Sequence, residues 1–278
     1  MRSGLATIVG RPNVGKSTLL NRILSTKVSI VSDKPNTTRT RVRGVLNRPQ
    51  AQVVWVDTPG LHRPRTLLGE RLNQSVADAL DGVDVVLVVL DASQTIGRGD
   101  RFVAERAGPG ALVVLNKVDL VGRSRVLEQL GAAADLDLAE YFPVSGVTGE
   151  GVATLVDAVV ARLPEGPPYY PPGTVTDVPE ALWVAELVRE QLLALVDEEV
   201  PHSIACRVSE WEWPRIRCEI LVERDSQKGI VIGRGGGILK AVGSAVRAEL
   251  PPGAYLELFV KVDQDWQRRP RSLTALGY

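Results

Sequence analysis

The chain has 278 residues, enough for two domains, and its 44% hydrophobic content supports a core in each. Lys+Arg and Asp+Glu balance at 33 each, so net charge selects no partner and local patches must carry any nucleic-acid or membrane argument. Cys206 and Cys218, without a C-x-x-C, together with His62 and His202, support neither a disulfide framework nor a structural metal site. The first apolar run begins within five residues of Met1, which leaves no room for a signal peptide. The longest, Val85 to Leu90, is far short of a membrane span, so a soluble protein of a reducing, intracellular compartment is expected.

Leu5 to Val9 is a short apolar run of buried-strand type, and Gly10 to Ser17 reads GRPNVGKS. That octet matches the phosphate-loop pattern G-x-x-x-x-G-K-[ST] at every fixed position. From Ser17 to Leu24 the spacing is helical, with Leu20, Ile23 and Leu24 on one face. A strand that enters a glycine-rich turn and leaves as a helix aims backbone N–H groups at an anion. Here they are those of Asn13, Val14, Gly15, Lys16, Ser17 and Thr18, reinforced by the positive end of the helix. Lys16 is placed to reach the β- and γ-phosphates, where it also serves catalysis, and the Ser17 hydroxyl to ligate Mg²⁺. An accidental glycine turn would not explain the strand before it and the helix after it.

Val28 to Arg43 is polar, broken at Lys34-Pro35-Asn36, and reads as a loop. Alone it would be a connector; behind a phosphate loop it occupies the place of a mobile segment whose threonine closes on Mg²⁺ and the γ-phosphate. Thr37, Thr38 and Thr40 are available, with Thr37 and Thr38 taken to the nucleotide and Thr38 to the metal and to catalysis. Gly44 to Leu46 and Gln52 to Val56 flank a hairpin break, and the second run ends in Asp57-Thr58-Pro59-Gly60. Asp57 is expected to hold the magnesium, usually through water, and the Gly60 N–H to contact the γ-phosphate. Leu61 stands where many nucleotide hydrolases carry a water-orienting glutamine, so water must be positioned by other means.

Leu67 to Leu80 has amphipathic helical spacing, and Val83 to Leu90 is a strand of a sheet covered on both faces. Asp91 after it is read as a helix cap and given no chemistry. Arg98 to Ala107 is a helix, and Ala111 to Leu115 a strand delivering Asn116-Lys117-Val118-Asp119. That signature selects guanine. The Asp119 carboxylate accepts from N1–H and the exocyclic amine, Asn116 buttresses the loop, and the Lys117 stem lies along the purine. A buried carboxylate left unpaired by adenine would cost about 1–3 kcal/mol. Tyr141 to Val144 is a last strand leading to Ser145-Gly146-Val147, a looser motif whose backbone N–H meets the guanine carbonyl, and Val152 to Leu163 is a closing helix.

The proline-rich stretch Leu163 to Gly173 reads as a stiff linker. Domains are therefore expected at 1–163 and 179–278, joined by 164–178. Pro179 to Glu199 reads as a helix stopped by Pro201-His202, and strands follow at Ile204 to Trp211 and Arg215 to Glu223, turning at Glu212-Trp213-Pro214. Then Ile230-Val231-Ile232 runs into Gly233-Arg234-Gly235-Gly236, and a helix continues to Leu250. A lone G-x-x-G is a weak signal and is more often a flexible turn. Between these helices, after a helix and two strands, it is the K-homology pattern that clamps a single-stranded nucleic-acid backbone. Gly233, Gly235 and Gly236 admit phosphates, Lys228, Arg234 and Lys240 supply charge, and Ile230, Val231 and Ile238 floor the groove. Leu256 to Val262 alternates as a final strand. The basic tail with Trp266, Arg268, Arg269 and Arg271 is either a solvated terminus or an accessory RNA contact.

The order GRPNVGKS, TTRTR, DTPG, NKVD, SGV resembles the translation-factor-related GTPases and specifically their Era branch, for which Pro35 to Arg41 and the string Asp57 to His62 are characteristic. With the K-homology unit behind it, the resemblance spans essentially the whole chain. It implies an α/β P-loop GTPase domain, mostly parallel in its sheet, followed by a smaller α+β K-homology domain of the prokaryotic type. The implied activity is a slow GTP-hydrolysing switch, cycling GTP and GDP with Mg²⁺, in assembly of the small (30S) ribosomal subunit. Its partner would be the 3′ end of the small-subunit ribosomal RNA. The resemblance also implies a potassium-assisted reaction through Asn13, and a cytoplasmic monomer. Gly146 departs from the family's usual alanine, with little loss expected because the backbone N–H is the contact. The competing reading is an RNA-binding module whose nucleotide site is structural. A third, peripheral attachment to the inner face of the membrane, lacks a strongly basic amphipathic helix.

Overall fold

Strands with apolar residues at nearly every position are stable only where helices cover both faces of the sheet. In the computed structural model, which describes residues 1–278 apart from His62, Arg63, Arg65 and Glu198, the first half of the chain solves this with alternating strands and helices. In order these are β1 (Arg2–Gly10), α1 (Lys16–Leu24), β2 (Val42–Arg48), β3 (Ala51–Asp57), α2 (Leu67–Leu80) and β4 (Val85–Asp91). There follow α3 (Arg98–Ala107), β5 (Leu112–Asn116), α4 (Arg123–Ala134), β6 (Glu140–Pro143) and α5 (Val152–Arg162). The sheet runs β2-β3-β1-β4-β5-β6, with β2 antiparallel to β3 and the other pairs parallel. Parallel pairing puts the C-terminal ends of β1, β3, β4, β5 and β6 along one edge, so the loops that leave them gather there.

Helix α4 escaped the sequence reading because its buried positions are Gln129 and Ala133, while Leu127 is 69% exposed. Its apolar stripe is short: Val126 and Leu130 are only half-buried against the core, with Ala133 the one fully buried apolar residue. The proline-rich residues after α5 lie along the same unit. Val45 N–H donates to Val175 O at 2.7 Å, Asn47 Nδ2 to Thr174 O at 2.9 Å, and Ser3 N–H to Pro164 O at 3.0 Å. The amide oxygen of Gln52, in β3, accepts from the backbone of Tyr169 (2.7 Å) and Tyr170 (2.9 Å). Proline content predicts stiffness; the anchoring contacts come from residues more than a hundred positions away.

The chain divides into two compact units, one of Met1–Val31, Thr38–Pro64 and Gly69–Asp177, the other of Ser32–Thr37, Arg65–Leu68 and Val178–Tyr278. The second contains α6 (Glu180–Leu195), α7 (Val200–Ser203), β7 (Ala205–Glu212), β8 (Arg215–Val222), α8 (Asp225–Ile232), α9 (Gly237–Glu249), β9 (Tyr255–Val262) and α10 (Pro270–Ala275). Its sheet is β7-β8-β9, with β7 antiparallel and β9 parallel to β8. The core joins Leu187, Val188 and Leu192 of α6 to Cys218, Ile220 and Val222 of β8, with Val242 and Val246 of α9 beneath. Residues 225–249 have the length and hydropathy of a membrane span, but fold as α8 and α9 with a glycine break between them.

Two expectations change here. Pro201-His202, read as a helix stop, lies inside α7, where a proline in the first turn loses no helical hydrogen bond. The tail is not a solvated terminus: Trp266 and Leu273 are fully buried, and Trp266 Nε1 donates to Ser203 O at 2.8 Å. Its charge masked an apolar face that only the packing reveals.

Candidate nucleotide and nucleic-acid sites

Gly15 closes the phosphate loop at φ 92°, a left-handed conformation that glycine adopts without strain, and hands the chain to α1. Lys16 is 7% exposed, and its ammonium donates to the carbonyls of Gly10 (3.3 Å) and Arg11 (3.0 Å). Burial depresses its pKa to about 8, partly offset by the charge of Asp57. Asp57, at the end of β3, is fully buried, and its Oδ2 accepts hydroxyls from Ser17 (2.7 Å), Ser29 (2.8 Å) and Thr38 (3.4 Å). Desolvation raises its carboxyl above the ordinary range despite Lys16 and the three hydroxyls.

Asp57 Oδ1 is buried without a hydrogen-bond partner among the described residues, and the Ser17 and Thr38 hydroxyls stand 2.9 Å apart beside the same carboxylate. A carboxylate with one unsatisfied oxygen and two hydroxyls is a hard, oxygen-only donor set, which fits a small divalent cation such as Mg²⁺. Of the three threonines, Thr38 is the one brought to this point. Thr37 faces its own segment: its hydroxyl donates to Lys34 O at 2.6 Å and its carbonyl accepts from Arg189, a residue of the same second unit. Thr40 Oγ1 is buried with no hydrogen-bond partner among the described residues. Ser29 was not anticipated, because a serine in a polar loop carries no signal of its own.

Gly60 is required by close approach: a Cβ there would meet the backbone N of Pro12 at 2.7 Å. The preceding Thr58 fixes the turn by donating to Ile8 O at 2.8 Å. Leu61 is 4% exposed and packs with Val9, Val76, Val88 and Leu90, so the side chain at the glutamine position points into the core. His62, the last residue of the characteristic string, lies outside the described residues.

Asn116 ties two loops together. Its Nδ2 donates to Val14 O at 2.9 Å, and its Oδ1 accepts the Gly146 N–H at 2.9 Å. The amide expected to meet the guanine carbonyl is thus already engaged, and reaches a base only by sharing its proton. Lys117, left-handed at φ 67°, donates from Nζ to Asn13 O at 2.7 Å and to Asp91 Oδ2 at 2.6 Å. Asp91 is therefore part of the site, although the sequence reading gave it no chemistry. Its burial is outweighed by hydrogen bonds from Lys117 and Ser93, which hold its carboxyl below the ordinary range.

Asn13 is exposed and left-handed at φ 66°, while Val14 is 2% exposed and Thr18 is half-buried on α1. Asp119 is exposed on the single turn Val118–Leu120, so the penalty reckoned for a buried carboxylate applies only once a base covers it. Ser145 is buried and accepts the Thr148 N–H at 2.9 Å, whereas Val147 is 61% exposed. Arg22 of α1, also unforeseen, holds the carbonyls of Gly146 (3.2 Å) and Val147.

In the second unit, Gly233, Gly235 and Gly236 have φ of 74°, 59° and 78°, a run of positive angles that disfavours any other residue. At Gly233 a Cβ would also meet the backbone N of Ile238 at 2.9 Å. Arg234 and Lys240 are exposed and Lys228 half-buried around this loop, which opens onto the N-terminus of α9. Ile230 is 46% exposed and Ile238 half-buried, as a groove floor requires. Val231 is not part of that floor: it is fully buried in the core, because successive helical residues point about 100° apart.

A family model described as a 50S ribosome-binding GTPase matches residues 6–117, and one described as a KH domain matches residues 199–267. The chain is 46% identical to GTPase Era of Mycobacterium avium (strain 104), covering 100% of this chain and 99% of that protein. It is 45% identical to GTPase Era of Mycobacterium tuberculosis (strain H37Rv), covering 99% and 98%. Among solved structures, Era in complex with MgGDPNP and nucleotides 1506–1542 of 16S ribosomal RNA matches with TM-score 0.96 at 40% identity, over 100% of this chain and 99% of that one. A variant of Aquifex aeolicus Era bound to GDP and aluminium fluoride matches with TM-score 0.95 at 39% identity, with the same coverage. Both units are thus matched, in the same order and from end to end, and the chain belongs to the Era family of GTPases.

Proposed function

We propose that this protein binds and hydrolyses GTP with Mg²⁺, and that its nucleotide state sets how the Gly233–Gly236 loop holds single-stranded ribosomal RNA during small-subunit assembly. The observation that carries the reading is the convergence of Ser17, Thr38 and Asp57 on one point, with Asp57 Oδ1 left unsatisfied. Bound there, Mg²⁺ would neutralise charge developing on the phosphates. The protein's own groups divide the remaining work. Backbone N–H groups of residues 13–18 cradle the phosphates, Lys16 pairs with the β- and γ-oxygens, Gly60 donates to the γ-phosphate, and Asp119 selects guanine with Asn116, Lys117 and the loop Ser145 to Val147 around it. Because Leu61 is buried, the attacking water must be placed by backbone groups, with Asn13 and a potassium ion as the assisting pair.

Residues 1–163 form the catalytic domain in this reading, 164–178 the connection and 179–278 the RNA-binding domain, in which Lys228, Arg234 and Lys240 meet phosphates. Thr37, whose carbonyl accepts from Arg189, immediately precedes Thr38, so a nucleotide that orders Thr38 acts on its neighbouring segment. The solved relative carries nucleotides 1506–1542 of 16S ribosomal RNA, which supports the 3′ end of the small-subunit RNA as the target of this cytoplasmic, monomeric protein. Flotation with anionic vesicles tests peripheral membrane association.

The buried Leu61 also favours a second reading, an RNA-binding module whose nucleotide site is structural. Single-turnover hydrolysis with and without RNA and potassium separates the two. Acceleration by RNA is expected; a negligible rate unmoved by either supports the second reading. Crosslinking and sequencing of RNA bound to the GTP-loaded protein identifies the segment read.

A further inference from the structure

Of the chain's five tryptophans, Trp55 and Trp266 are fully buried. The other three, Trp183, Trp211 and Trp213, line one cavity of about 500 Å³ in the second unit. Its floor is Val184 and Ile216, each 1% exposed, and Leu250 and Pro251 close one side. Indoles exposed at 36% (Trp211) and 53% (Trp213) are unusual on a surface, since a ring of that size gains most when covered. The cavity's charge is one-sided. Glu180 and Glu249 stand in its lining, both exposed, and Glu212 lies between the two hairpin tryptophans, whereas among the described residues no lysine or arginine lines it.

An electron-rich indole face attracts a cation within about 6 Å, and a carboxylate beside it adds a hydrogen-bond acceptor. The same carboxylates repel phosphate, so this is a poor place for a nucleic-acid backbone. It is also distant from the RNA loop: Gly233–Gly236 opens onto the first residue of α9, while Glu249 is the last. A 13-residue helix separates them by about 20 Å. We propose that this tryptophan-lined cavity binds an arginine side chain presented by a basic segment of another protein. Arginine fits better than lysine because its planar guanidinium stacks on indole and sheds water more readily.

The test uses the full-length GDP-bound protein with ¹⁵N-labelled tryptophan, following the five indole N–H signals. The probes are acetyl-(Arg-Gly)₃-amide, the corresponding lysine and glutamate peptides, and a single-stranded RNA hexamer. The arginine peptide is expected to shift the signals of Trp183, Trp211 and Trp213 saturably, leaving those of Trp55 and Trp266 in place, and the lysine peptide to bind more weakly. Trp213→Ala should weaken binding about fivefold or more, and the double variant Glu180→Gln, Glu249→Gln about threefold, the latter without altering the apolar walls. No shift with the arginine peptide, equal binding of the glutamate peptide, or stronger shifts with the RNA hexamer would each overturn the proposal.

Discussion

Replacing Asn116 by alanine tests the proposition that one buried amide organises both the phosphate loop and the base loop. Asn116 is 2% exposed; its Nδ2 donates to Val14 O at 2.9 Å, with a longer contact to Gly15 O at 3.5 Å, and its Oδ1 accepts the Gly146 N–H at 2.9 Å. Alanine strands both partners in an environment closed to water. Leaving a buried donor or acceptor unmade costs about 1–3 kcal/mol, so the two together come to about 2–4 kcal/mol after partial relaxation. These contacts exist before nucleotide arrives, hence the loss divides between folding stability and affinity. Urea unfolding of the empty protein measures the first, and fluorescent GDP binding the second, at about 1.4 kcal/mol per tenfold change. The sum should reach at least about 2 kcal/mol, with GTP and GDP affected alike, because neither contact approaches a γ-phosphate. Asn116→Asp sharpens the argument. It keeps an acceptor for Gly146 but turns an oxygen onto Val14 O, so it should bind nucleotide more weakly than the alanine variant. A summed loss below about 1 kcal/mol, or an aspartate variant that outperforms alanine, would refute the reasoning.

Burial depresses the Lys16 ammonium to about 8, below its ordinary 10.5, so between those values the folded protein without nucleotide is expected to hold it largely neutral. Phosphate binding needs the ammonium; affinity should therefore fall as pH rises above 8, with about three-quarters of a proton taken up at pH 8.5. Calorimetry in buffers of different ionisation enthalpy measures that uptake, and a value of zero contradicts it. Asp91→Asn should loosen Lys117 and weaken GDP binding about three- to tenfold, read by the same fluorescence assay, with no change in the choice of base. Asp119→Asn should move preference from GTP toward xanthosine triphosphate in competition binding; unaltered selectivity would mean another group reads the base. Gly235→Asp meets open space but takes on backbone strain at φ 59°, a left-handed conformation aspartate tolerates better than most residues; RNA affinity in a filter-binding assay should drop about tenfold or more, with GTP affinity unchanged and the far-UV spectrum checking that the loop's strain has not spread.

The phosphate loop, the DTPG turn, the NKVD loop and the G-x-x-G break were all legible in the sequence, and for one reason. Each is made by the backbone of a few consecutive residues, whose conformation is set locally by glycine, proline and the strand or helix on either side. Periodicity likewise disclosed α2 and α5, where apolar residues recur on one face, and missed α4, where Val126, Leu130 and Ala133 share the inner face with Gln129 while Leu127 is exposed. The tertiary structure brings Thr38, already taken to the metal, against Asp57, and it alone could recruit Ser29 and Asp91, or withdraw Val231 from the groove and Trp266 from solvent. Those outcomes depend on which atoms meet across sequence separations such as the 28 positions from Ser29 to Asp57 or the 63 from Ser203 to Trp266. A residue's type announces that it can donate, accept or pack; which of these it does is decided by where the sheet edge and the helix faces carry it. The phosphate cradle is thus written in the order of the residues, and the electrostatic setting that tunes Lys16 and Asp57 is written in the packing.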